Sequence, residues 1–220
     1  MQSQPTSTLP VTDIHTPRLD LVAITPEAVR CEASASPEYR TQLEHILRAT
    51  VPETWPAEHW DPHVLDYLSN LFAENPSVIG WTRYITLRDE STRRRTLIGT
   101  FGSMHPGDKS RQIEVGYSIL PAFQSRGYAT EAMSAMLSWI QSFFPVRCFV
   151  AQTFPHLKPS IRVLEKSGFE FVGPGFEEGT ILYRLDSVVG CANGSGILAA
   201  DHPIPPPRFT PPPPSADNEV

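Results

Sequence analysis

The sequence predicts an α/β domain built on a mixed, twisted sheet of about six or seven strands, flanked by about four helices. Two observations carry this reading. Stretches with strand character and stretches with apolar residues at helical spacing follow one another in the order strand, helices, three-strand meander, helix, strand, helix, two strands. The chain has 220 residues, of which 40% are hydrophobic, enough for one domain with a sizeable core and tails.

The elements follow in order. Residues 18–24 alternate as a strand does. Thr25 then caps a helix with Pro26 at its first position. A second helix is expected over 37–49, and residues 52–60, with Trp55, Pro56 and Trp60, form a loop. A third helix over 62–74 carries Leu65, Leu68, Leu71 and Phe72 on one face. Residues 77–87 and 96–104 are strands around a turn at 89–95, and 111–120 completes the meander. The strongest helix runs over 130–143, where Ala132, Met133, Met136, Leu137, Ile140 and Phe144 form a stripe. A strand over 147–153, a helix over 160–167 stopped by Gly168, and a pair of strands at 169–172 and 180–185 close the domain.

The flanks differ in composition. Residues 1–15 are rich in Ser, Thr, Pro and Gln and are expected to be flexible. Residues 187–220 turn proline-rich from Pro203 to Pro214 and are expected to be disordered. The run Pro203-Ile204-Pro205-Pro206-Pro207-Arg208 fits a weak docking ligand for a partner. A net charge of -6 without a basic block argues against nucleic acid. Cys31, Cys148 and Cys191 form neither a disulfide framework nor a metal spacing, and His59 and His63 lack a third ligand, so no metal is expected. No secretory signal and no stretch of ~20 apolar residues is visible, so the expected location is cytoplasmic, with no membrane.

Chemistry concentrates at Gln124-Ser125-Arg126-Gly127-Tyr128-Ala129, between a strand and a helix. Gly127 and Ala129 admit close approach to the backbone, and the start of a helix offers unpaired N–H groups and the positive end of its dipole. That is a seat for phosphate or pyrophosphate. A dinucleotide fold or a P-loop does not account for it: there is no Gly-x-Gly-x-x-Gly, and no Gly-Lys-Ser/Thr follows.

The run has neighbours: Ile113-Glu114-Val115-Gly116-Tyr117 before it, Pro121, Thr130-Glu131-Ala132 after it, residues 160–169 later, and Thr16-Pro17-Arg18-Leu19 at the start. Together these resemble the GCN5-related N-acetyltransferase (GNAT) superfamily and its RimJ/RimL-like branch, over residues 16–186. The resemblance implies a sheet whose fourth and fifth strands, 111–120 and 147–153, splay apart. It implies acetyl-CoA as co-substrate, with the pantetheine arm along the strand ending at Ile119 and Leu120. The pyrophosphate would lie on the run Gln124, Ser125, Arg126, Gly127, Tyr128, Ala129 and Thr130. The reaction implied is direct acetyl transfer to a primary amine, a protein N-terminus or a small molecule. Lys158, Arg162 and Lys166 form a helical stripe, which is either an ordinary exposed face or one that meets a CoA phosphate, the exposed face being the usual case. Loop residues such as Trp55 either wall the acceptor site or pack in the core, and packing is favoured.

Such a reaction needs a neutral amine, a polarised thioester and a stabilised thiolate. An α-amino group, with a pKa of about 7.7–8.0, makes a lighter demand on a base than a lysine at about 10.4. Glu114 is the candidate base, acting through water or with a raised pKa; the competing reading is a strand glutamate paired with a cation. Ser160 is the candidate donor to sulfur or pantetheine, or else a helix cap. The family's motif of Asn, two residues, Ser has Leu157 at its Asn position and keeps Ser160, and its tyrosine acid is replaced by Leu164. Tyr117 and Tyr128 are possible substitutes for the acid. These departures motivate an alternative: a CoA-binding module or adaptor without catalysis. The arginines at 93–95 are expected to be solvated at a hairpin tip.

Overall fold

The computed structural model describes residues 11–34, 36–58, 60–92, 94–104 and 111–187. One eight-stranded sheet carries the domain, in the order β1-β2-β3-β4-β5-β6-β8-β7. In the chain, β1 (Ile14–His15) and β2 (Leu19–Ala23) lead into helices α1 (Pro26–Ala33), α2 (Tyr39–Leu47) and α3 (Pro62–Glu74). The meander is β3 (Thr82–Arg88), β4 (Arg95–Ser103) and β5 (Gln112–Ile119). Then come α4 (Tyr128–Phe143), β6 (Cys148–Thr153), α5 (Lys158–Lys166), β7 (Glu170–Pro174) and β8 (Ile181–Asp186). Every neighbouring pair is antiparallel except β5 and β6. The five α-helices and eight strands of the described residues exceed the expected counts. The additional strand is β1, whose two residues are too short to show alternation; Ile14 and His15, read from sequence as part of a flexible segment, pair with Leu21 and Asp20.

Local chemistry sets the boundaries. Thr25 accepts from the Ala28 N–H at the start of α1, as its sequence position predicts, and Asp61 caps α3 ahead of Pro62. Strand β3 begins at Thr82 rather than 77, because Asn75 and Pro76 open a 3₁₀ turn and Gly80 takes a left-handed φ of 100°. The stripe of α4 is buried as expected, from Ala132 to Ile140, and Phe144 packs against Trp81. Arg95 is not solvated. It lies 3.2 Å from Asp13 and 3.5 Å from Asp20 and donates to the Leu47 carbonyl, because the second strand of the hairpin starts at this residue and turns it over the sheet. Arg93, His59 and the proline-rich tail lie outside the described residues. Ser187, assigned to the tail from sequence, is buried and donates its N–H to the Arg147 carbonyl.

The loop from Pro52 to Trp60 is anchored by a buried carboxylate. Glu32 of α1 accepts from the indole N–H of Trp55 (2.7 Å), from that of Trp60 (3.1 Å) and from the Tyr84 hydroxyl. The three rings lie 6.0–6.3 Å apart around it. Burial pushes the Glu32 carboxyl above its ordinary value, and the three donors partly offset this. The tryptophans therefore pack in the core, as favoured from sequence. Glu32→Leu removes the acceptor shared by three buried donors. It is expected to cost at least about 2 kcal/mol in urea unfolding; a loss below about 0.5 kcal/mol would show that the indoles need no acceptor.

Candidate active site

The site starts where a ladder stops. Strands β5 and β6 pair in parallel only over Gln112↔Cys148, Ile113↔Phe149 and Glu114↔Val150. Beyond these residues both strands continue without pairing, β5 staying with β4 and β6 with β8. This is the splay expected for the fourth and fifth strands of the family. The Glu114 carbonyl and the Leu120 N–H bond to Met104 and Ile98 on the β4 side. By alternation, the backbone groups of Val115, Tyr117 and Ile119 face the gap. Ile119 uses its carbonyl for the Gln124 side chain (2.8 Å). Leu120, expected at the cofactor, donates its N–H to the Ile98 carbonyl and accepts the Phe123 N–H.

The loop after β5 is shaped for an anion. A 3₁₀ turn at Pro121–Phe123 leads to Gln124, Ser125 takes φ 61°, Gly127 takes φ 80°, and α4 begins at Tyr128. Gly127 is the N-cap of α4 and has no side chain to satisfy the first turn. The N–H groups of residues 125–130 have no acceptor among the described residues, and the first helical bond is Glu131 N–H to the Gly127 carbonyl. Gln124 ties the loop to the strand end, while Ser125, Arg126 and Gly127 are exposed. The helix start at Tyr128 is two residues earlier than expected, which brings Tyr128, Ala129 and Thr130 into the first turn, where their N–H groups point outward from the helix end.

Arg18 supports this loop from the bend between β1 and β2, a role its place in the sequence does not reveal. It donates to the Arg126 carbonyl (3.0 Å), pairs with Glu131 (2.7 Å) and lies 4.6 Å over the Tyr128 ring. Glu131 also accepts from the Thr16 hydroxyl (2.6 Å) and the Arg18 N–H (2.9 Å). Burial alone would raise the Glu131 carboxyl, but these donors and the Arg18 charge hold it below its ordinary value. The signal was present in Thr16-Pro17-Arg18-Leu19 and Thr130-Glu131-Ala132, but their pairing across 113 positions is a tertiary fact. A groove of about 620 Å³ runs from Gly127 and Thr130 past Ser134 to Lys166 of the exposed stripe.

The two predicted catalytic residues lie apart. Glu114 and Tyr117 have opposite parity on β5, and the register with β4 continues without a bulge. Glu114 is partly buried and accepts from the Gln152 amide (2.8 Å), rather than pairing with a cation. Burial raises its carboxyl above the ordinary value; the Gln152 hydrogen bond opposes this and the Glu177 charge adds to it. Ser160 sits inside α5, whose N-cap is Leu157, so it is not the cap; its hydroxyl and carbonyl meet the Tyr117 hydroxyl at 3.2 and 3.1 Å. Burial pushes the Tyr117 phenol up to about 12, with the Ser160 contact acting the other way, so Tyr117 keeps its proton at neutral pH. Leu164 is a core residue. Of the two tyrosines weighed as acids, Tyr117 joins Ser160 beside the gap, whereas Tyr128 lies under Arg18 at the loop.

Among the described residues no group of three His, Cys, Asp or Glu side chains could hold a metal, and no helix is long and apolar enough to cross a membrane. The depressed Glu131 value yields a stability prediction. Its contribution is present above the unfolded carboxylate pKa and is lost as pH falls through the lower folded value. Glu131→Gln is expected to lower Tm by roughly 2–6 °C at pH 7, with the gap to the parent protein narrowing as pH falls through that window. Equal melting temperatures at pH 7 would refute the contribution.

The family model described as acetyltransferase (GNAT) domain matches residues 18–170. A Bacillus subtilis (strain 168) protein described as "Uncharacterized N-acetyltransferase YoaA" is 34% identical over 79 residues, 36% of this chain. The match spans 45% of that relative's length. Among solved structures, the ribosomal-protein-S5-alanine acetyltransferase from Vibrio fischeri is 17% identical with a TM-score of 0.51, covering 80% of this chain and 96% of that one. The ribosomal L7/L12 alpha-N-protein acetyltransferase RimL in complex with coenzyme A is 13% identical with a TM-score of 0.53, covering 81% and 99%. At these identities the solved structures show a shared fold. With the family model spanning residues 18–170, the chain belongs to the acetyltransferase (GNAT) domain family.

Proposed function

We propose that this protein is an acetyl-CoA-dependent N-acetyltransferase of the RimJ/RimL-like branch that acetylates a primary amine by direct attack in a ternary complex, with a protein α-amino group as the favoured acceptor. The observation that carries the reading is the loop 124–130, open at a helix start and adjoining the gap between β5 and β6. The residues present fit acetyl-CoA. Six consecutive backbone positions without acceptors among the described residues suit a pyrophosphate, two of them held left-handed, and Lys166 along the groove suits a further phosphate. The outward backbone of Val115 and Tyr117 suits an extended amide-bearing arm. Bound there, the co-substrate supplies an activated acetyl thioester.

The chain's own groups divide the remaining work across the two faces of β5. Glu114, held less acidic by burial, receives the proton of the attacking amine, directly or through water. An α-amino group is about one-tenth neutral at pH 7, so this base need only remove the second proton as the bond forms. On the other face Tyr117, protonated at neutral pH and bonded to Ser160, donates a hydrogen bond or a proton to the departing sulfur. Tyr117 thus takes the place of the acid that Leu164 lacks. The relatives named as ribosomal-protein acetyltransferases support an α-amino acceptor by analogy of fold alone.

Gly127→Glu puts a carboxylate into the seat and is expected to abolish acetyl-CoA binding by calorimetry; binding equal to the parent protein would overturn the reading. Glu114→Gln should bind acetyl-CoA unchanged and lower kcat by about 10²–10⁴. The acceptor is sought by mass spectrometry of free-N-terminal peptides and small amines incubated with acetyl-CoA. Firm cofactor binding with no acetylated product and no CoA release from any acceptor would favour a binding module over an enzyme.

A further inference from the structure

We propose that Gln152 is a positioning residue for Glu114, fixing its carboxylate at the edge of the β5–β6 gap and making its charge state answer to how the 175–180 turn between β7 and β8 is seated. This rests on the reading of Glu114 as the base. Gln152 lies on β6, two residues beyond Val150, the last residue paired with β5. Its side chain therefore stands where the strands have parted, and it bridges the opening that the ladder no longer closes.

The amide can sit only one way round. Its Oε1 accepts the backbone N–H groups of Phe176 (2.6 Å) and Glu177 (3.1 Å), which together use both lone pairs. The Thr180 hydroxyl is also 3.1 Å away, but its single proton is shared with the nearer Glu177 carbonyl at 2.7 Å. A flipped amide would aim an NH₂ group at two N–H donors, so the orientation is forced. The NH₂ then points at Glu114, with Nε2 2.8 Å from Oε1. The turn thus fixes the amide, and the amide fixes the carboxylate.

The turn is closely fitted to this arrangement. A Cβ added at Gly175 would lie 2.0 Å from Thr180 Oγ1 and 2.7 Å from Gln152 Oε1, so any side chain there displaces the turn from the amide. Phe176, next in sequence, is 58% exposed, which leaves the tip of the turn open to a ligand entering from solvent. Among the described residues, Glu177 of the turn is the titratable group whose charge reaches Glu114. The chain on either side brings Ser103 at the end of β4, Met104 just after it and Val150 from β6, none of them titratable. A turn that shifts away removes a donor to the ionised carboxylate and so favours its protonated form. Gln152 is thereby a channel through which occupancy at the turn alters the base.

The test reads Glu114 directly and needs no acceptor. The full-length protein is labelled with ¹³Cδ-glutamate, the Glu114 resonance is assigned by its absence in Glu114→Gln, and its midpoint is followed by NMR against pH. Gln152→Leu removes the donor, and the midpoint is expected to rise by about one pH unit, the size of a hydrogen bond to a charged group. Gln152→Glu keeps an acceptor for the turn, removes the donor and sets a second carboxylate beside Glu114, so the midpoint is expected to rise further than in Gln152→Leu. Gly175→Ala, which alters neither side chain, is expected to raise it in the same direction. Midpoints within about 0.3 unit of the parent protein in both Gln152 variants would overturn the proposal. Failure of the broader reading is distinguishable, because it would appear as loss of acetyl-CoA binding by the parent protein, which this titration does not measure.

Discussion

The parting of β5 from β6 after Glu114 and Val150 is the constraint on which the rest of the site depends. A parallel ladder that stops mid-strand leaves backbone N–H and C=O groups without partners, and such groups need a ligand or water. The sheet tolerates this because each strand keeps a full partner on its other side, β4 for β5 and β8 for β6. The opening is bridged on both faces by side chains. Tyr117 reaches Ser160 on one, and Glu114 reaches Gln152 on the other. The gap thus has a protonated phenol on one side and a partly buried carboxylate on the other, the thickness of a strand apart.

The loop at the end of β5 poses an electrostatic problem of its own. A helix start with its first-turn N–H groups open favours a negative ligand, yet Glu131 stands within the first turn of the same helix. Left alone, its carboxylate would compete with that ligand. Arg18 and Thr16 turn the charge toward the bend between β1 and β2, and the Arg18 guanidinium also holds the Arg126 carbonyl. The positive end of α4 stays available because an acid near it is paired elsewhere. This links the order of β1 and β2, remote in sequence, to the quality of the anion seat.

Much of this was legible in the sequence. Period and punctuation located all five helices and all but the two-residue strand β1. The buried stripe of α4, the Thr25 cap and the loop at 124–130 follow from residue type and spacing alone. Where sequence reasoning fell short, long-range pairing decided. Arg95 looks like a hairpin-tip cation until Asp13 and Asp20 are brought to it. Ser160 looks like a helix cap until the helix is seen to begin earlier, at Lys158.

The chain by itself determined the order of elements, the loop at 124–130 and the residue types near it, because these rest on local propensity and on short spacings. Which carboxylate faces which amide was decided only by the tertiary structure. Glu114, Gln152 and Gly175 are separated by 38 and 23 positions, and no local rule relates them. Nor does spacing tell that Tyr117 stands beside Ser160 while Tyr128 lies beneath Arg18. A hydrogen bond needs two groups within about 3 Å, and distances of that order between remote residues exist only after the sheet has closed around them.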